Sequence, residues 1–322
     1  MLNRKFIILL AFLLFLNLNC RRADTDSTST VPVNSGSYNS SVRYDGMDRT
    51  YYIHIPTSYD KSRSFPLVIL LHGLGGTGEG MSKLTGFDKL ADKEGFIVIY
   101  PDGRNRFWKC DGRIKKNDDV GFISFLIDEV SKSLNIDKKR IYATGMSNGG
   151  FMCIYLACEL SDKISAIAPV VATMTEYQYN NFSPKKPVSV LTINGTEDKI
   201  VPWNGGEINV SSNLLKGVGI VSTYDAVKFW VFHNQCATTP VVTRLEDKST
   251  QDGTKVRREV YSGGKDSTEV ILYAIEGGGH TWPGGLQYLP DDRVGKVCQD
   301  INACEVIWEF FKKVNYQSPM AN

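Results

Sequence analysis

Three residues in this chain have the types and the order needed for acyl transfer: a serine between glycines, an acid, and a histidine in a glycine-rich loop. The serine is Ser147, in Gly145-Met146-Ser147-Asn148-Gly149-Gly150. A free hydroxyl is a weak nucleophile. It needs a base to take its proton and N–H donors to hold the charge that develops on the attacked carbonyl oxygen. The G-x-S-x-G spacing supplies a tight strand-to-helix turn that lifts the serine oxygen above a sheet, with the Asn148 N–H aimed at the developing charge. The base is found by elimination among four histidines. His54 lies within a strand pattern, His72 reads as a hydrogen-bonding scaffold of a glycine-rich loop, and His233 follows an apolar helix. His280 sits in Gly277-Gly278-Gly279-His280-Thr281-Trp282-Pro283-Gly284-Gly285, after a late strand. The order Ser…Asp…His then places the acid in Asn194-Gly195-Thr196-Glu197-Asp198. Asp198 is the candidate and Glu197 its fallback; Asp225 lies in a helical stretch and faces water.

A second donor for the oxyanion is expected in Leu71-His72-Gly73-Leu74-Gly75-Gly76-Thr77-Gly78, where the Leu74 N–H is the candidate beside that of Asn148. The competing reading, a phosphate-cradling loop, lacks the Lys-Ser/Thr ending of a P-loop. Trp108, Trp203 and Trp282 fall in or beside the same loops and are candidate substrate-binding faces, with core packing as the alternative for each. Acyl transfer by such a set calls for no metal and no organic cofactor.

These residues must be held by a sheet. Arg49–Pro56, Pro66–Leu71, Gly95–Tyr100, Arg140–Thr144, Ile167–Ala172, Val188–Asn194, Arg257–Tyr261 and Glu269–Ile275 read as strands. Helical stretches alternate with them near Met81–Lys93, from Asp118-Asp119, over Gly150–Leu160 and Tyr224–Phe232, and from about Asn302 to Val314. Short apolar strands alternating with amphipathic helices predict a mainly parallel sheet covered by helices on both faces, in one domain.

The chain has 322 residues, 42% hydrophobic, and a net charge of +2 from 37 basic and 35 acidic residues. That balance, with only the pairs Lys185-Lys186 and Arg257-Arg258, gives no basic stripe for nucleic acid. At the start, Arg4-Lys5 precede an apolar run, Phe6–Leu16, that is too short to span a bilayer at ~20 residues. The run leads to Leu18-Asn19-Cys20-Arg21-Arg22, which resembles a bacterial lipoprotein signal with lipidation at Cys20; simple secretion is the alternative. The expected organisation is a signal over residues 1–20, a Ser/Thr-rich flexible tether over 21–41, a catalytic domain over 42–316 and a tail over 317–322. Export to the bacterial envelope, periplasm or medium follows, with membrane contact only through the lipid. In that setting Cys110, Cys153, Cys158, Cys236, Cys298 and Cys304 permit up to three disulfides, and no C-x-x-C pair or clustered histidine offers ligands at zinc spacing.

Taken in order, Leu71-His72-Gly73-x-Gly75-Gly76, Tyr100-Pro101-Asp102-Gly103, Asp118-Asp119-Val120-Gly121-Phe122, Gly145–Gly150, Leu156-Ala157-Cys158-Glu159, Asn194-Gly195-Thr196-x-Asp198 and Gly279-His280-Thr281-Trp282-Pro283-Gly284 resemble the polyhydroxybutyrate depolymerase and feruloyl esterase group, related to carbohydrate esterase family 1. The resemblance covers roughly residues 42–316. It implies the α/β-hydrolase fold, a Ser147–His280–Asp198 triad, and short acyl, feruloyl, acetyl or hydroxyalkanoate-oligomer esters as substrates. Two positions depart from the pattern: Asn194 stands where histidine is frequent, and Leu74 where small residues or cysteine are common. The alternatives are a surface lipoprotein using the fold as a binding module, and a serine peptidase or acyltransferase with the same triad.

Overall fold

The apolar runs become the centre of the molecule because a strand buried on both faces can carry no polar side chain outward. In the computed structural model, which describes residues 31–110, 119–210, 215 and 217–314, the chain opens with β1 (Gly36–Tyr44), β2 (Met47–Ile55) and β3 (Phe65–Leu71). It continues through α1 (Gly78–Thr85), α2 (Phe87–Glu94), β4 (Ile97–Pro101), α3 (Asp119–Ser133), β5 (Ile136–Met146), α4 (Asn148–Glu159) and β6 (Ala166–Val170). Next come α5 (Glu176–Asn181), β7 (Ser189–Gly195), the short pair β8 (Gly206–Glu207) and β9 (Gly219–Ile220), and α6 (Thr223–His233). The last elements are β10 (Val241–Arg244), β11 (Lys255–Tyr261), β12 (Val270–Glu276), α7 (Asp291–Val294) and α8 (Ala303–Val314).

Among the described residues ten strands form one sheet in the order β1-β2-β4-β3-β5-β6-β7-β12-β11-β10. Its middle, from β4 through β12, is parallel; β1, β2, β11 and β10 join antiparallel at the two edges. The fold is the α/β-hydrolase type in a single domain, with a mixed sheet rather than a uniform one. Alternation along β3 shows how one sheet serves two cores. Leu67, Ile69 and Leu71 pack with α3, α4 and α6 on one face, while Val68 and Leu70 pack with α1, α2 and α8 on the other.

Three expectations need correction. The tether expected to reach residue 41 is part of the sheet from Gly36 onward, since β1 pairs with β2 over its full length from Gly36↔Ile55 to Tyr44↔Met47. A tight turn at Asp45-Gly46, both with positive φ (49° and 73°), closes that hairpin. Backbone ladder bonds do not depend on side-chain polarity, so a Ser-rich strand forms where a partner is at hand. The helix expected over 81–93 is two helices, because Gly86 (φ 65°) ends α1 by donating its N–H to Ser82 O. Asp118 lies outside the described residues, and α3 begins at Asp119. Among the described residues no disulfide joins Cys110, Cys153, Cys158, Cys236, Cys298 or Cys304, and all six are buried. The expected signal, the lipidated Cys20 and the tail lie outside the described residues.

Candidate active site

Ser147, His72, Asp198 and His280 all follow the carboxyl ends of parallel strands, β5, β3, β7 and β12 respectively. This is the rim where open α/β sheets hold their ligands. At the end of β5 the chain turns into α4 through Ser147 itself, whose backbone is strained at φ 55°, ψ −120°. The turn closes because its neighbours lack side chains. A Cβ on Gly149 would lie 2.3 Å from Leu71 O, and one on Gly150 would lie 2.6 Å from Ala172 Cβ. The Ser147 N–H donates to Val170 O at 2.9 Å, tying the elbow to β6.

The glycine loop after β3 passes directly beside this elbow, with a Cβ on Gly73 placed 3.6 Å from Ser147 Cβ. Neither the Leu74 N–H nor the Asn148 N–H donates to an acceptor among the described residues, so both expected oxyanion donors are free. His72 is the scaffold its position implied. Its Nδ1–H donates to Gly73 O (2.7 Å) and its Nε2 accepts the Gly103 N–H (2.9 Å), a pattern that requires the neutral ring. Burial lowers its pKa in the same direction. The Asn148 side chain, also buried, accepts the Trp108 N–H at 2.7 Å and donates to Trp108 O at 3.1 Å. Behind that loop, Arg49 pairs with Asp119 at 2.8 Å, and the other Asp119 oxygen accepts the Lys109 N–H at 3.0 Å. Both partners of this bridge are buried.

Asp198 and His280 meet from two separate loops. The His280 Nδ1–H donates to Asp198 Oδ2 at 2.7 Å, with both side chains buried. The other carboxylate oxygen accepts the N–H groups of Ile200 and Val201, each at 2.8 Å. Glu197, the fallback, is exposed and makes no such pair. The loops are laced together: the Glu197 N–H donates to Gly278 O (2.9 Å) and the Gly277 N–H to Thr196 Oγ1 (2.9 Å). The glycines let the histidine loop approach its brace, since a Cβ on Gly279 would lie 2.2 Å from Val294 O.

Ser147 and His280 line one cleft of about 490 Å³. Its apolar wall comes from Leu74, Leu84, Ile200, Val210 and Leu289, with Tyr288 at the edge. The Tyr288 O–H donates to His280 O at 2.8 Å. Trp108, Trp203 and Trp282 are not among the residues lining it. Trp108 is fully buried, its indole N–H on His72 O at 3.0 Å, and Trp282 is packed in the core under α8. Trp203 stands edge-on to Tyr224 at 5.6 Å. Trp108 and Trp282 are buried because the area of a large ring is worth more inside than in water. Asn194, which departs from the histidine frequent there in the group the chain resembles, accepts the Ala172 N–H and donates to Ala172 O and Thr223 Oγ1, holding the loop after β6 against β7. Leu74 lines the cleft. Tyr288, Leu289, Ile200 and Val210 are not singled out by the sequence; Leu286-Gln287-Tyr288-Leu289, an apolar cluster just past the His280 loop, is the one local sign.

The family model described as "Putative esterase" matches residues 44–205, half of the chain. "Putative esterase NocK" of Nocardia uniformis subsp. tsuyamanensis is 27% identical over 306 residues, covering 90% of this chain and 84% of its own length. Feruloyl esterase B of Piromyces equi is 29% identical over 238 residues, covering 72% of this chain; the matched part spans 42% of that relative. Among solved structures, an acetyl xylan esterase from Aspergillus awamori superimposes with a TM-score of 0.53 at 15% identity, over 77% of this chain and 94% of its own. At that identity the likeness speaks for the fold alone.

Proposed function

The chain belongs to the esterase family, and from that premise we propose that it cleaves carboxylic esters through an acyl-enzyme on Ser147. His280, held by Asp198 in the tautomer that leaves Nε2 unprotonated, takes the Ser147 proton as the serine oxygen attacks the ester carbonyl. The Leu74 and Asn148 N–H groups receive the oxyanion. The alcohol departs with the proton from His280, and water then repeats the sequence on the acyl-enzyme. Asp198 stabilises the imidazolium formed in each half. The observation that carries this reading is the buried 2.7 Å Asp198–His280 pair, opening on the same cleft as a serine at a strained elbow.

The cleft wall favours the kind of ester. No Asp, Glu, Lys or Arg is among its described lining residues, and its size lies in the usual range of about 300–1,000 Å³ for a small-molecule site. An uncharged acyl group with a flat or branched apolar body suits it, so a feruloyl or short acyl ester is the favoured substrate class. Relatives named feruloyl esterase agree with that preference. Export with a lipid on Cys20 is part of the same proposal and rests on the leader pattern of the sequence. The test is hydrolysis by the full chain of methyl ferulate, p-nitrophenyl acetate, p-nitrophenyl butyrate and 3-hydroxybutyrate oligomers, each beside Ser147→Ala. Methyl ferulate turned over fastest, with all turnover lost in the variant, is the expected result. Turnover that survives in Ser147→Ala sinks the mechanism, and preference for the hydroxybutyrate oligomers replaces the substrate class.

A further inference from the structure

Away from the cleft, a second polar cluster plays no part in ester chemistry. Asp252, between β10 and β11, and Cys298 and Asp300, ahead of α8, each offer a ligand atom within 4.8 Å of the others. Asp300 is 3% exposed; one oxygen accepts the Ser249 N–H at 2.9 Å, while Oδ2 is buried without a hydrogen-bond partner among the described residues. Neither carboxylate has a Lys, Arg or His nitrogen within 4.0 Å among the described residues. A buried carboxylate oxygen with neither donor nor counter-charge is costly, and a bound cation removes that cost.

We propose that Asp252, Cys298 and Asp300 bind one zinc ion. The donor set selects the metal. A thiolate is a poor ligand for calcium or magnesium, whereas zinc takes sulfur and carboxylate oxygen together, and a water completes its tetrahedron. Asp252 is only half-buried, which gives the ion a route in from solvent. Binding forms the Zn–S bond and releases the Cys298 thiol proton to solvent. The segment that would hold the ion also braces the catalytic histidine loop: Cys298 O accepts the Gly284 N–H (2.8 Å), and Lys296 O accepts the Gly279 N–H (3.0 Å) and the Thr281 hydroxyl (3.1 Å). Zinc would reinforce the bonds that already join that segment to the 249–254 loop, from the Ser249 N–H to Asp300 (2.9 Å) and from the Gln299 N–H to Asp252 (2.8 Å). The sequence hid this site because Asp252 lies far from the other two ligands and no pair has zinc-motif spacing.

The deciding measurement is the metal content of the full chain, stripped with chelator, reloaded with zinc chloride and dialysed, together with its melting temperature. The expected result is stoichiometric zinc and a rise in Tm of about 5 °C. Asp252→Asn and Cys298→Ser should lose both, and calcium or magnesium chloride should produce neither. No uptake and no shift in the unsubstituted protein overturns the proposal without reference to any variant. Zinc retained in both variants overturns the ligand set, and a shift with calcium alone overturns the choice of metal.

Discussion

The Ser147 elbow and the Asp198–His280 arm are held by opposite means. Ser147 is fixed by its own neighbourhood: a strained backbone, a strand before it, a helix after it, and glycines that let α4 press on the end of β3. His280 and Asp198 are 82 positions apart, and no local rule brings them together. Their meeting depends on β7 and β12 being paired neighbours and on hydrogen bonds laced between the loops that follow them. An elbow of this kind is set by steric exclusion and tolerates no added atom. An arm of this kind is set by directional bonds and fails in degrees.

The largest expected effects are on chemistry. Ser147→Ala should lower kcat on p-nitrophenyl acetate by on the order of 10⁶, and Asp198→Asn by about 10⁴, both with an unchanged fold by circular dichroism. Equal losses would mean that the arm is as indispensable as the elbow, and the contrast would fail. On stability, Asp119→Ala leaves Arg49 buried without its partner and should cost about 3–5 kcal/mol in urea unfolding. A cost below about 1 kcal/mol would show a bridge that water reaches, as at an exposed pair. Gly149→Ala forces a Cβ toward Leu71 O and should cost up to about 3 kcal/mol, with activity falling alongside. Retained activity there would refute steric control of the elbow.

The smallest effect is a pH slope. Burial lowers the His72 pKa, so above the ordinary value of about 6.5 the ring is neutral in folded and unfolded chains alike and its bond to the Gly103 N–H is intact. Below that value the unfolded chain binds a proton that the folded chain refuses. The stability this group contributes is therefore lost as pH falls through the folded-state value. The fall in Tm between pH 7.5 and pH 5 should shrink in His72→Gln; an unchanged fall assigns the slope to other groups.

What the sequence made legible follows the same division. The Gly145–Gly150 run names its own turn, and the apolar runs of β3 to β7 name a buried sheet, because both depend on neighbours in the chain. The choice of Asp198 over Glu197 was available only from position after β7, and the structure separates the two by burying one and exposing the other. Trp108 misled because residue type tells how much surface a ring offers but not which way it faces; that is set by Asn148 and His72, distant in the chain. β1 misled for a related reason, its polar side chains being irrelevant to the backbone bonds that hold it to β2. The cleft wall from Ile200, Val210 and Leu289 exists only once three loops have docked.

The most direct test of the central claim is to treat the full chain with a fluorophosphonate and locate the adduct by peptide mass spectrometry, following methyl ferulate hydrolysis in parallel. One adduct, on the peptide carrying Ser147, formed at the rate at which hydrolysis disappears, is the predicted result. Hydrolysis that continues after Ser147 is fully modified, or an adduct that forms elsewhere as activity is lost, would contradict it.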